Sequence, residues 1–179
     1  SRTELINDLT ASSAYGTAVI KGRVSNFLSP KNLSYNLKLV ARNLETGKWI
    51  KQDSLFGKVN GTISAKGSGT DYKTADIQSV VDLSSFRVMK HDYSGIHLNL
   101  AGTKGHYDFN GNTNDPLLLL SLRGNASLNK QYPTVKSFIE IRNANPYALG
   151  LYTADSFSFK TKANIDLKNL DPVMLNAFV

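Results

Sequence analysis

Apolar side chains recur at every second position through most of this chain, and that period limits what it can fold into. The clearest stretch runs from Asp92 to Leu128. Ile96, Leu98 and Leu100 alternate with His97 and Asn99, and after Gly102-Thr103-Lys104-Gly105 the pattern resumes at Tyr107 and Phe109. Past Asn110-Gly111-Asn112 and Asp115-Pro116, a third run carries Leu118, Leu120, Leu122, Gly124, Ala126 and Leu128. A strand turns successive side chains to opposite faces, so each run has one apolar side and one wet side. Three such runs joined by turn residues predict an antiparallel meander.

The same period extends in both directions. Ala18, Ile20, Gly22 and Val24 form one run, blurred by Val19, and Leu33, Tyr35, Leu37 and Leu39 form the next. Glu45-Thr46-Gly47-Lys48 reads as a hairpin turn, with Trp49-Ile50 opening the return strand. Leu55, Gly57, Val59, Gly61, Ile63, Ala65 and Gly67 face Phe56, Lys58, Asn60, Thr62, Ser64 and Lys66, so only Phe56 breaks polarity. That strand would be on the order of 35 Å long. Ala75, Ile77, Val81 and Leu83 follow, then Val135, Ile139 and Ile141, and finally Phe157, Phe159, Thr161, Ala163, Ile165 and Leu167. Residues 1–14 fit either a helical turn or an edge strand, and Asp171-Pro172 could open a short helix. The expectation is an all-β chain of roughly nine or ten strands. No linker divides it, so residues 1–179 are expected to be one segment, with 1–14 a poorly defined leader. The opening Ser-Arg-Thr-Glu, without an initiating Met or a secretory signal, is what a segment of a larger protein would give.

Several chemistries find no support. The chain has no cysteine, which excludes disulfides, thiolate zinc sites and a cysteine nucleophile. His91, His97 and His106 lack metal-ligand spacing and read as surface histidines, although His106 and Asp108 share a strand face. No metal site is expected. The glycine-rich Gly61 to Gly69 lacks the Gly-Lys-Ser/Thr of a phosphate loop and is followed by no helix. There is no G-x-S-x-G elbow. Neither catalytic residues nor a cofactor are expected, and the chain is not expected to be an enzyme. The net charge of +7 favours acidic partners. Its cations are spread singly, as Lys21, Arg23, Lys38, Arg42, Lys58, Lys66, Lys160 and Lys162, which fits solvated strand faces rather than a nucleic-acid patch. No run of about 18 apolar residues exists to span a bilayer.

What the apolar face touches is the functional question. Alternation alone is compatible with a core sealed between two sheets, as in a sandwich or closed barrel, and with an open groove. The glycine-studded runs Tyr15–Val24, Leu55–Gly67 and Leu117–Leu128 recur without a fixed period, which fits a sheet extended along an axis. Tyr93-Ser94-Gly95-Ile96-His97-Leu98-Asn99-Leu100 is followed by Tyr107-x-Phe109 and by Asp115-Pro116 with Leu118, Leu120, Leu122, Gly124, Ala126 and Leu128 at alternate positions. Downstream come Asn145-Pro146-Tyr147-Ala148-Leu149-Gly150-Leu151 and Phe157-Ser158-Phe159. From Leu55 to Pro172 the chain resembles the repeat-rich β region of TamB and AsmA-like envelope proteins, particularly those of Bacteroidetes.

The resemblance implies a long antiparallel meander curled into a U-shaped, taco-like sheet with an apolar inner face. Such a trough would shield phospholipid acyl chains in the periplasm during transport between the membranes or outer-membrane assembly. The full-length protein would be anchored in the inner membrane and would meet assembly partners through other parts of its chain. The groove would be lined by Leu37, Leu39, Val59, Ile63, Ile77, Val81, Ile96, Leu98, Leu118, Leu120, Leu122, Ile139, Phe157, Phe159 and Ile165. An acyl tail gains about 0.8 kcal/mol per CH₂ removed from water, so such a floor needs no specific contacts. The alternative is a β-sandwich binding or adhesion module with a sealed core, presenting Trp49, Tyr72, Tyr93 or Tyr132 as a stacking platform. A third possibility is a structural piece of an envelope assembly, joined through its edge strands.

Overall fold

The computed structural model describes residues 4–29, 31–128, 133–153 and 155–168. These form β1 (Glu4–Ser13), β2 (Gly16–Ser25), β3 (Ser34–Glu45), a short helix α1 (Thr46–Ile50), β4 (Phe56–Ser68) and β5 (Asp76–Val88). They continue with β6 (His91–Thr103), β7 (His106–Asn112), β8 (Leu118–Ser127), β9 (Thr134–Ala144) and β10 (Phe159–Leu167). The ten strands make one antiparallel sheet whose spatial order is the order of the chain. The sheet is open: β1 and β10 are its edges, and it does not close into a barrel. The described residues contain no second sheet, so the two-sheet arrangement that a sealed core would require is absent among them.

Short turns explain the meander. Met89-Lys90 and Lys104-Gly105 are two-residue connections, and Met89, Lys104 and Gly105 have positive φ, as tight hairpins require. Residues 4–13, undecided between helix and strand in sequence terms, are the edge strand, with all ten positions in register on β2.

The register places like with like. Leu9, Ile20, Leu39, Ile63, Val81, Leu98, Gly111, Leu122, Ile139 and Ala163 stand side by side across all ten strands. One position away, on the opposite face, the row reads Asp8, Lys21, Lys38, Ser64, Val80, Asn99, Asn110, Arg123, Phe138 and Asn164. At about 4.8 Å between strands, such a row is roughly 43 Å long measured along the sheet.

Three local predictions are corrected. Thr46-Gly47-Lys48-Trp49-Ile50 is a helical turn, and the return strand begins only at Phe56. Gly47 sits so close to Phe56 that a Cβ there would lie 1.9 Å from its carbonyl oxygen, so the turn folds directly onto the start of β4. Phe56 does not break the polarity of the strand. The pairing with β5 shifts between Phe56↔Val88 and Val59↔Phe86, and this irregularity puts the Phe56 ring parallel to Phe86 at 6.0 Å between centroids. Phe157 lies before β10, not in it, with its ring edge-on to Tyr152. The suggested helix at Asp171-Pro172 lies outside the described residues, as does Tyr132.

Candidate functional site

The candidate site is the apolar face itself. Of the fifteen residues expected to line a groove, Leu37 and Leu39 (β3), Val59 and Ile63 (β4), Ile77 and Val81 (β5), and Ile96 and Leu98 (β6) are on strands whose register aligns them on one face. Leu118, Leu120 and Leu122 (β8), Ile139 (β9), and Phe159 and Ile165 (β10) continue that face. Phe157 alone is off the sheet. Sequence reasoning left out Leu9, Ile20, Leu83, Leu100 and Phe109, which the ladder places on the same face. Their alternation was visible, and only the register could assign them a side.

The middle of this face is uncovered. In the ten-residue row only Gly111 is buried, and Leu98, on a central strand, remains 39% exposed. Along β5, Ile77, Val81 and Leu83 are half-buried while Asp76, Gln78, Val80, Asp82 and Ser84 are exposed. In a two-layer domain the inward residues of a central strand would be fully buried. Here Ile77, Val81 and Leu83 stay half-buried, and among the described residues no second sheet covers them.

Each end of the face is capped. At one end, α1 closes a cavity of about 310 Å³ lined by Leu39, Leu44, Ile50, Phe56, Val59 and Phe86, among others. Val59 and Leu44 are buried in this corner, beside Ala18 and Ala41. At the other end, the connection from β4 to β5 folds over the face, and the Tyr107 hydroxyl donates to the Tyr72 carbonyl at 2.5 Å. Beneath it lies a second cavity of about 560 Å³, bordered by Tyr35, Ile77, Leu100, Tyr107, Phe109 and Leu128, with Tyr72 at its rim. Burial, then the nearby Tyr35, Asp71 and Asp76, push the Tyr107 phenol above its ordinary pKa.

Aromatic rings on this face lie over glycines. Tyr107 pairs with Gly102, Phe109 with Gly124 and Tyr35 with Gly67. A Cβ on Gly102 would meet the Tyr107 ring at 2.1 Å, and one on Gly124 would meet Phe109 at 2.7 Å. The ring covers backbone that glycine leaves bare, and it lies flatter on the floor than opposite a larger residue.

The opposite face is polar and ion-paired. Lys21–Asp8 (3.1 Å), Arg23–Glu4 (3.0 Å) and Lys162–Glu140 (2.9 Å) bridge neighbouring strands, and His97 hydrogen-bonds Asp82. His106 Nδ1 is 3.0 Å from Ser127 Oγ.

His91 is a correction to the surface reading. It is largely buried, with Nε2 2.9 Å from Oδ1 of the fully buried Asp115 and its ring edge-on to Tyr93 at 4.7 Å. Asp115 also accepts from the Ser94 backbone N–H (3.0 Å), the Ser94 hydroxyl (3.2 Å) and the Leu117 N–H (2.9 Å). Burial raises the Asp115 pKa, but the His91 bond, the Leu117 and Ser94 amides and the imidazole's charge together hold it below the ordinary value. Ser94 bonds the carboxylate here. In a nucleophilic triad the hydroxyl would bond the histidine, so this cluster is a knot tying the β7–β8 connection to β6.

Among the described residues no group of His, Cys, Asp or Glu could hold a metal ion, and no helix is long and apolar enough to cross a membrane. Comparison of the chain with protein families, with curated proteins and with solved structures found no match.

Proposed function

We propose that this chain is a lipid-shielding segment of a TamB or AsmA-like envelope protein. In this reading the sheet curls about its long axis with the apolar face inward, and acyl chains lie along that face between the two end caps. The polar face meets the periplasm. The observation that carries the reading is the row of apolar side chains and Gly111 across all ten strands, over which the described residues place no second sheet. An apolar face of this extent has a water-exposed cost of about 25 cal/mol per Å² that a partner or ligand relieves. A fluid hydrocarbon suits a floor that carries no buried polar group along its central row. Basic side chains on the outer face would tolerate anionic headgroups at the rim.

The test is photo-crosslinking in cells, with a photoreactive residue at Ile63 in one strain and at Lys66 in another. These two residues lie on opposite faces of β4. Phospholipid adducts are expected at Ile63 and not at Lys66. Well-expressed protein with no lipid adduct at Ile63, Leu98 or Leu120 would reject the reading.

A further inference from the structure

The two caps of the apolar face differ in chemistry, and we infer that they seat opposite ends of one acyl chain. Its methyl end enters the cavity under α1, and its carboxyl or ester end stays beneath the Tyr72 connection. This inference rests on the lipid reading and adds a direction to it.

Both cavities border the same floor. α1 precedes β4, whereas the Tyr72 connection joins the end of β4 to β5, so the caps lie at opposite ends of the same strands. Leu39 and Leu83 line the first cavity, and Tyr35 and Ile77 line the second. On this face only Leu37 separates Leu39 from Tyr35 along β3, and only Ser79 and Val81 separate Leu83 from Ile77 along β5. At about 3.4 Å per residue, the floor between the cavities is about 14 Å long on β3 and about 20 Å on β5. An acyl chain filling one leaflet reaches about 15 Å, half the hydrocarbon thickness of a bilayer. A single chain laid along the strands therefore bridges the two cavities.

The linings set its direction. Among the described residues around the α1 cavity, Thr46 alone has a polar side chain, and its hydroxyl is committed to the Gly57 carbonyl. A carboxyl or ester group placed there would lose its hydration and find no donor. An apolar cavity of this kind stays dry and takes hydrocarbon. Its volume of about 310 Å³ holds about ten groups the size of a water molecule, enough for the last part of an acyl chain. The cavity at the other end is apolar in its floor but is bordered by the hydroxyls of Tyr35 and Thr70. Neither hydroxyl has a hydrogen-bond partner among the described residues, whereas that of Tyr107 is already given to the Tyr72 carbonyl. Two uncommitted donors at one end and none at the other favour one orientation of a chain with a single polar end.

Two photoreactive forms of palmitic acid test this on the 179-residue chain, one with its diazirine at the terminal carbon and one with it beside the carboxyl. After irradiation and digestion, the terminal probe is expected on peptides carrying Phe56, Val59 and Phe86, and the carboxyl-side probe on those carrying Tyr35, Thr70 and Tyr72. In Leu83→Trp, whose indole narrows the α1 cavity, affinity for palmitic acid should fall about tenfold. Octanoic acid, short enough to remain beneath Tyr72, should bind as before. Reversed labelling, or the same mixture of sites from both probes, would overturn the direction and leave the lipid reading standing. Labelling of neither cavity by either probe would overturn both. Equal weakening of palmitic and octanoic acid in Leu83→Trp would overturn the seat under α1. Should circular dichroism show that this variant loses its sheet, the labelling of the unaltered chain decides.

Discussion

Gly102 and Asp115 are fixed by different forces. Gly102 is needed because the Tyr107 ring occupies the space a side chain would take, and that ring in turn anchors the Tyr72 connection. Gly102→Val is expected to cost about 1–3 kcal/mol through overpacking and to free the connection, read as a lower urea midpoint and faster proteolysis near Tyr72. Glycines in long strands signalled bending in the sequence. That a ring covers them depends on which strand is opposite, and residue order does not contain that. Asp115 is held by charge. Its native pKa lies below the ordinary value of about 3.9, so its contribution is complete above that value and is lost as pH falls through the native pKa. Asp115→Asn should therefore lower stability at pH 6 and reduce the acid sensitivity of the remainder, measured as urea midpoints at pH 6 and pH 3. The sequence marked Asp115-Pro116 as a turn, which it is. Its pairing with His91, 24 positions away, had no local signal.

Strands and their faces were legible because period two survives any arrangement of neighbours, and the ten elements fall close to the predicted runs. What was not legible lies where the period slips. The shift between Phe56 and Val59 redirects one aromatic residue, and β9 takes an extra residue opposite Leu119–Leu120. The helix α1 was hidden for another reason. Trp49 and Ile50 favour strands intrinsically. Here the chain instead turns early, with Thr46 Oγ1 donating to the Gly57 carbonyl at 2.8 Å and Lys51 ending the turn at φ 56°. This corner holds the buried apolar cluster of Ala18, Ala41, Leu44 and Val59, with Leu39, Leu83 and Phe86 packed against it. Phe56→Ala should cost about 2 kcal/mol, less than a fully buried phenylalanine, and open the 310 Å³ cavity to solvent. Denaturant unfolding gives the first, and a rise in native-state binding of a hydrophobic dye gives the second.

As a whole the molecule exposes more than a compact protein does. Its accessible surface is 11853 Å², against about 8,600 Å² for a folded monomer of 19.6 kDa. A single sheet that buries neither face against a second one among the described residues contributes to that excess. No fragment of sequence pattern distinguished the single sheet of the described residues from a sandwich, because period two is the same in both and only the pairing of all ten strands tells them apart. The neighbour-only strand order carries a further consequence for how the protein opens. Each strand is bonded to those before and after it in the chain, so the sheet behaves as a one-dimensional lattice that can melt inward from either end without disturbing the middle. Amide hydrogen exchange should accordingly be graded rather than all-or-none, fastest in β1 and β10 and slowest in β4 to β6. Uniform exchange at one global rate would mean that all ten strands open together. A chain that unfastens strand by strand can lengthen or shorten by whole hairpins while the remaining rungs keep their register.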